Sequence, residues 1–565
     1  MPPRPRAGTG VSLGSSPDGS STVVLLGSSG REAEATRLAT AYVEAGRNAT
    51  ARPATGAGFV VLDRTNRKVI AVAPPIGLSQ LFWCQGSDSF SLASNPVLLE
   101  SDSERTYSIR PEALFRYIYF HMVPGPSSAL EGISKLDGGH TLTWNGTTAR
   151  VERYWRPVFE DTPRMPEEAA SRALREVLDD AVLESLGDRR HAGAFLSGGL
   201  DSSTVAGLAA RHRPGLQTVS MGFDAKGYDE MHYARIASRH FGTQPLEYYV
   251  TPEDVVATLP MIAAAFPEPF GNSSAAAAYH CARVAREHGL ELLLAGDGGD
   301  ELFGGNERYA TQLVFERYGL VPRALRRGLL EPLVGTAARV TTTFPIGKAQ
   351  SYIRQANVPL PDRLQTYNFL HRHDPVEVFN PELLALVDQR EPLRILRDEY
   401  ATPDTASAVN RMLFLDWKFT LQDNDLVKVN TMCKLAGIEV AYPMLDPAVL
   451  DFSLRVPGDW KVRKGELRWF FKRAMRDFLP QQILDKTKHG FGLPFGVWTR
   501  SHDGLRKMSE DALASLAARE FFRPEFLRES VRLHREGHAS YYGELVWILM
   551  VLEFWLQSHD PGARM

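Results

Sequence analysis

Phe195-Leu196-Ser197-Gly198-Gly199-Leu200-Asp201-Ser202-Ser203 stands where one pattern of residues gives way to another. The apolar run Ala192 to Leu196 predicts a buried strand, and Thr204 to Ala210 predicts a helix. Between them two glycines make a tight turn, and Asp201, Ser202 and Ser203 suit the first turn of that helix. Backbone N–H groups at a helix start carry partial positive charge and hold anions, and glycines let a phosphate come close. An acidic residue inside the turn implies a cation beside the anion. No Gly-Lys-Ser/Thr follows, so this is not the commoner lysine-bearing phosphate loop. The reading is a turn that grips the pyrophosphate part of ATP. A plain strand-to-helix turn, which glycines also serve, is the competing one.

Outward from this stretch, strands and helices alternate. Strands over 192–196, 216–222, 246–250 and 290–295 are expected between helices over 203–211, 230–241, 253–265 and 274–288. Such alternation predicts a parallel sheet covered on both faces, with ligands bound beyond the carboxyl ends of its strands. A second turn lies at one of those ends: Gly296-Asp297-Gly298-Gly299-Asp300-Glu301. Its three carboxylates on a flexible backbone suit Mg²⁺ that is also held by phosphate oxygens. Alone it could be a solvated acidic loop; two such turns on one sheet argue against that.

At this point the chain resembles the asparagine synthetase family. Ser197-Gly-Gly-Leu-Asp201-Ser-Ser is similar to the pyrophosphate loop of the N-type ATP pyrophosphatases. Gly296 to Gly305 resembles the family's second acidic loop. Further matches are Asp425-Leu-Val-Lys428-Val, then Gly437 to Asp446 with its Pro-x-Leu-Asp ending, Lys464-Gly-Glu-Leu-Arg468, and Pro480 to Pro494. They occur in the family's order over roughly residues 170 to 500. The resemblance implies ATP-dependent amide formation through an acyl-adenylate, with ATP and Mg²⁺ required. By the same resemblance Ser197, Gly198, Gly199, Asp201, Ser202 and Ser203 would hold pyrophosphate, and Asp201 and Asp300 would hold Mg²⁺ with Glu301 and Asp297 nearby. Met221, Gly222 and Gly296 would border the adenine. Lys488 would be the catalytic lysine, with Lys428 a second cation. The family often has Asp where Asn430 stands, so that acid's role does not transfer.

The N-terminal part departs from the family. Residue 2 is Pro, where glutamine-using members carry a Cys freed by Met removal, and Cys84 is internal. No Asn-Gly-Glu motif of the glutamine-binding kind occurs, yet Gly58 to Arg64, Ala93-Ser94 and Gly138 to Trp155 still resemble the family. The expected fold is an α+β N-terminal Ntn-hydrolase-like domain, then an α/β parallel-sheet ATP-pyrophosphatase domain with a helical C-terminal part. The expected boundaries are a disordered tail over 1–21, a degenerate glutaminase-like β-rich domain over 22–156, and the synthetase domain over 167–565, after a proline-rich linker from Pro157 to Pro166. Thr141 to Trp144, then Asn145-Gly146, predicts a two-residue hairpin.

Composition sets the remaining bounds. The 565 residues carry a net charge of −3, which gives no reason to expect a nucleic-acid partner. Three scattered cysteines make neither a disulfide framework nor a zinc site, so a cytoplasmic setting is expected. No secretory leader is read at the start, and no membrane span. The longest apolar run, Leu545 to Leu556, contains Glu553 and reads as a buried helix. The leading function is an amide ligase acting on a small-molecule or peptide carboxylate, aspartate first. Its nitrogen would come from ammonia, an amine or a separate glutaminase, and a homodimer stays open. The alternatives are an intramolecular amide-forming synthetase of the β-lactam synthetase or lasso-peptide cyclase type, and a non-catalytic ATP-binding scaffold.

Overall fold

The computed structural model describes residues 11–26, 32–45, 58–78, 80–86, 89–100, 108–225, 227–340, 345–487, 492–537 and 539–565. Its N-terminal part is built from β1 (Val11–Ser15), β2 (Ser21–Leu26), β3 (Phe59–Asp63), β4 (Lys68–Val72), β5 (Phe82–Gln85), β6 (Phe90–Ala93), β7 (Ser134–Lys135), β8 (His140–Trp144) and β9 (Ala149–Arg153). Six of these form one antiparallel sheet, β1-β2-β3-β4-β8-β9, and three form another, β6-β5-β7. Successive side chains in a strand face opposite ways, and here both faces are apolar. Val23, Leu25, Phe59, Val61, Ile70 and Val72 pack on Ala35, Ala39 and Tyr42 of the helix Glu32–Glu44. Val60, Val69, Ala71 and Leu142 pack with Leu81, just ahead of β5, and with Trp83, Phe90 and Leu92 of the second sheet. The large sheet is therefore a middle layer.

Three local expectations need correction. The segment read as a tail includes β1, which pairs antiparallel with β2 from Val11↔Leu26 to Ser15↔Thr22. Flanking Gly and Ser hide a short Val-Ser-Leu alternation that only pairing makes stable; residues 1–10 lie outside the described ones. The hairpin corner sits one residue later than read. The Asn145 N–H donates to the Thr148 carbonyl at 3.2 Å, so Gly146 (φ +98) and Thr147 form the corner while the Asn145 side chain accepts from Thr147 and Thr148. The proline-rich segment 157–166 is pinned rather than free. Phe159 is buried, its N–H donates to the Asp404 carbonyl, and the Glu160 N–H donates to that of Leu454.

The second part holds β10 (Ala192–Phe195), β11 (Gln217–Phe223), β12 (Gln244–Val250), β13 (Leu292–Leu294) and β14 (Glu439–Ala441). They form one parallel sheet in the order β12-β11-β10-β13-β14. From the central β10 the chain winds outward through β11 and β12, then returns to the other side as β13. The order thus reverses between β10 and β13, and in open parallel sheets the ligand crevice lies at that reversal. Helices fill the rest, among them the C-terminal Ala539–His559 that carries the apolar run. Its Glu553 is fully buried against Arg519. Among the described residues no helix is long and apolar enough to cross a membrane.

Candidate active site

The register Ala192↔Leu292 to Ala194↔Leu294 ends β10 and β13 side by side, so the turns at Ser197 and Gly296 open on the same edge. A Cβ added at Gly296 would stand 2.7 Å from the Ser202 nitrogen, so the second turn rests directly on the first turn of the helix Leu200–His212. Gly198 has φ +69 and lies against the backbone of Tyr233 and Ala234, where no side chain fits. The Ser197 N–H donates to the Ser202 hydroxyl at 3.2 Å, the two hydroxyls are 2.9 Å apart, and the Gly199 N–H donates to Ser197 Oγ at 3.3 Å. The loop's own serines hold its shape, and the first N–H groups of the helix have no intrahelical acceptor. Ser203 differs: it is fully buried, and its hydroxyl finds no hydrogen-bond partner among the described residues. Its side chain stands apart from the loop mouth.

Asp201 and Asp300, one from each turn, converge on a single guanidinium. Arg468 donates to both oxygens of Asp201 and to Asp300. Its side chain is 4% exposed. The residue sits in the left-handed region (φ +54) ahead of the short helix Trp469–Ala474, its N–H bonded to the Gly304 carbonyl at 3.1 Å. Room for the Asp300 carboxylate beside Arg468 exists only because residue 305 is Gly, and room for that of Asp201 because residue 299 is Gly. Burial opposes the charge on Arg468, but the carboxylates more than offset it and hold it firmly protonated. Two carboxylates that share one cation suit Mg²⁺, which takes one or two protein carboxylates and completes its shell with phosphate oxygens and water. Among the described residues no cluster of three or more metal-binding side chains occurs, so phosphates would have to supply the remaining ligands.

Behind this pair lies a second charged group. Asp297 is pushed up to about 6 by burial, with Lys428 pulling the other way. Lys428 pairs with Asp425 at 2.6 Å; burial lowers its pKa, but Asp425 and Asp297 together raise it above the usual lysine value. Glu301 is buried and adds negative charge toward Arg468 and Lys428. Asn430, at the family's acid position, donates to the Leu78 carbonyl at 2.6 Å and accepts from Tyr442 at 2.9 Å. It thus ties the site to the N-terminal part.

Met221 and Gly222 lie close to the carboxyl end of the neighbouring strand β11, whose Ser220 hydroxyl donates to the Leu196 carbonyl at 2.7 Å. A Cβ at Gly222 would stand 2.6 Å from the Tyr249 ring. Lys488 lies outside the described residues, as do 489–491. Lys486 is described: its ammonium pairs with Glu230 at 2.9 Å, reaches the Ser197 carbonyl at 3.5 Å and sits over the Tyr233 ring. Sequence reasoning quoted Arg468 in a motif without giving it a role. The available signal was one basic residue among several, with Arg463, Lys464, Lys472 and Arg473 close by, and nothing local distinguishes it from a surface arginine.

The asparagine synthase family matches residues 173–557, and the glutamine amidotransferase domain matches residues 31–155. A protein of Mycobacterium tuberculosis named putative asparagine synthetase [glutamine-hydrolyzing] is 26% identical over 509 residues, covering 88% of this chain and 75% of its own. Asparagine synthetase [glutamine-hydrolyzing] 1 of Bacillus subtilis is 23% identical over 506 residues, covering 88% and 76%. An asparagine synthetase of Zea mays is 26% identical over 554 residues, covering 90% and 72%. With two acidic turns at one sheet edge and a family match over most of its length, the chain belongs to the asparagine synthase family.

Proposed function

We propose that this protein is an ATP-dependent amide ligase that adenylates a carboxylate, aspartate being the leading candidate, and passes the acyl group to nitrogen. The observation that carries the reading is the convergence of Asp201 and Asp300, from adjacent strand ends, on Arg468. A substrate carboxylate oxygen attacks the α-phosphorus of ATP, the bond from that phosphorus to the bridging oxygen breaks, and pyrophosphate leaves. Its negative charge meets the first N–H groups of the helix Leu200–His212, donors already in place before the charge develops. Mg²⁺, when held by Asp201 and Asp300, supplies further neutralisation of the phosphates. Lys428 can pair with a second substrate carboxylate such as that of aspartate, Lys486 stands beside the loop, and Lys488 keeps the catalytic-lysine role that the family resemblance implies. Nitrogen then attacks the acyl carbon and AMP departs. Asp297, its acidity weakened by burial, can accept the proton the nitrogen sheds.

The nitrogen is assigned to ammonia or an amine, free or from a separate glutaminase. All three cysteines are buried. Cys84 lies inside β5, paired with Ser91, and has no α-amino group to serve as its base. We read the helix-sheet-sheet layering of the N-terminal part as an Ntn-type glutaminase fold kept without that chemistry. Pyrophosphate release should require Mg²⁺ and a carboxylate, and amide should form with ammonia. Absence of release with aspartate and every other carboxylate sinks the ligase reading. Glutamine serving as well as ammonia contradicts the nitrogen assignment alone.

A further inference from the structure

Asn272 lies on the loop between the helices Pro252–Ala265 and Ala275–Glu287, and its amide donates to Asn424 Oδ1 at 2.7 Å. Asn424 and Asp425 close a π-helical stretch, Trp417–Asp425. Such widened turns are uncommon and frequently mark functional positions, because they re-aim consecutive side chains. Here four neighbours find four partners: Gln422 the Gly77 N–H, Asp423 Lys418, Asn424 Asn272, and Asp425 Lys428. One residue beyond Asn272, the Ser273 hydroxyl donates to Glu544 at 3.5 Å. A polar line thus runs from Asp297 through Lys428, Asp425, Asn424, Asn272 and Ser273 to Glu544, on the C-terminal helix Ala539–His559.

Charge along this line is uneven. Lys428 answers Asp425 and Asp297. Glu544 has no cation among the described residues, and the Ser273 hydroxyl is its one hydrogen-bond donor there. Its surroundings are close: Tyr117 feels its charge, and a Cβ at Gly271 would stand 2.9 Å from both Tyr117 Oη and Ile548 Cγ2, one helical turn from Glu544. Part of the residue's surface nevertheless stays accessible. A carboxylate so enclosed keeps a proton or takes a positively charged ligand. Burial pushes Glu544 up to about 7, which leaves both states accessible.

We propose that Glu544 anchors an ammonium-binding subsite at the end of this polar line. The ligand is either the α-ammonium of an amino-acid substrate or the charged end of an amine donor. This rests on the adenylation reading above. It also gives the π-helical turn a purpose, since Asn424 and Asn272 then link the charged group at Asp297 and Lys428 to the ammonium.

Glu544→Gln keeps the size of the side chain and removes its charge. Two assays separate the sources. ATP–pyrophosphate exchange without a nitrogen donor compares aspartate with succinate, which lacks the ammonium. Amide formation, with the carboxylate that exchanges best, compares 1,3-diaminopropane with propylamine. The wild-type protein should prefer the ammonium-bearing member of one pair. Glu544→Gln should raise the KM of that member by about tenfold or more, the value of one charge-assisted contact, and leave its counterpart and kcat unchanged. A shift in the exchange assay assigns the ammonium to the acyl substrate, and a shift in the amide assay assigns it to the donor. Unmoved KM values in both assays overturn the subsite and make Glu544 a protonated structural carboxyl. Should Glu544→Gln fail to fold, Glu544→Asp and Ser273→Ala carry the same comparison, and the same null result overturns the proposal. A wild-type protein without exchange under any carboxylate overturns the adenylation reading and the subsite with it.

Discussion

Arg468 serves two carboxylates with one guanidinium, and nearly all of it is out of water. Removing one member of a buried charged group costs about 3–5 kcal/mol, because the partners are left uncompensated. Arg468→Ala should therefore lower the melting temperature of the nucleotide-free protein, and Mg²⁺ with ATP should recover part of the loss by supplying another cation. Calorimetry with and without Mg²⁺–ATP checks both, and exchange activity should fall by about 100-fold or more. Asp201 and Asp300 were legible in the sequence because each sits in a short motif with glycines around it. Their shared partner was not, because it lies 267 and 168 residues away along the chain. Lys461 gives a second test at this scale. It is fully buried over the Phe159 ring and bonds Asn410 at 3.2 Å; burial pulls it down to about 7, with Asp161 opposing. Its folded pKa is below the unfolded one, so the unfolded chain binds more protons between about pH 7 and 10, and stability from this group rises with pH across that window. Below pH 7 the penalty is complete, up to roughly 5 kcal/mol. Lys461→Met should raise the melting temperature most at pH 6, with the gain shrinking toward pH 10; a pH-independent difference would contradict this.

The two turns work as a pair only because glycine lets them touch. Gly296→Ala would drive a methyl into the Ser202 N–H and part the second turn from the first turn of the helix Leu200–His212. The expected outcome is ATP binding weakened by about tenfold or more with the fold retained, read by calorimetric titration beside circular dichroism. Element type was readable wherever the apolar period was long: β10 to β13 and the helices between them follow the pattern of the sequence. Boundaries moved where the local chemistry was ambiguous. The helix after the loop starts at Leu200, three residues early, because its first turn is polar and adds nothing to the apolar period. Strand β14 was missed within a region read as helical. It has three residues, its Glu439 is exposed, and only parallel pairing with β13 defines it. The π-helical turn is likewise invisible in a pattern that reads as ordinary helix on both sides.

Across the whole molecule the two parts are joined by buried charge. Lys135 of the N-terminal part pairs with Glu268 at 2.5 Å, and their side chains are 4% and 7% exposed. Lys418 pairs with Asp137 at 2.5 Å and with Asp423 at 3.0 Å, while Arg116 holds Glu391 through a paired contact. Charged groups so far from water are costly apart and hold well only together. Glu268→Ala should lower stability by about 3–5 kcal/mol and affect both parts in one transition, since it also accepts the Ala129 N–H at 2.6 Å. Two separate unfolding transitions in the wild-type protein would contradict this coupling. The N-terminal part was legible from its motifs as amidotransferase-like, but no sequence pattern announced a weld between Lys135 and a glutamate 133 residues on. The most direct test of the central claim follows oxygen. With an acyl substrate labelled with ¹⁸O in its carboxylate, adenylation moves one labelled oxygen into the phosphate of AMP and leaves pyrophosphate unlabelled. Label in AMP is the predicted result; AMP formed without label, or label in inorganic phosphate beside ADP, would contradict it.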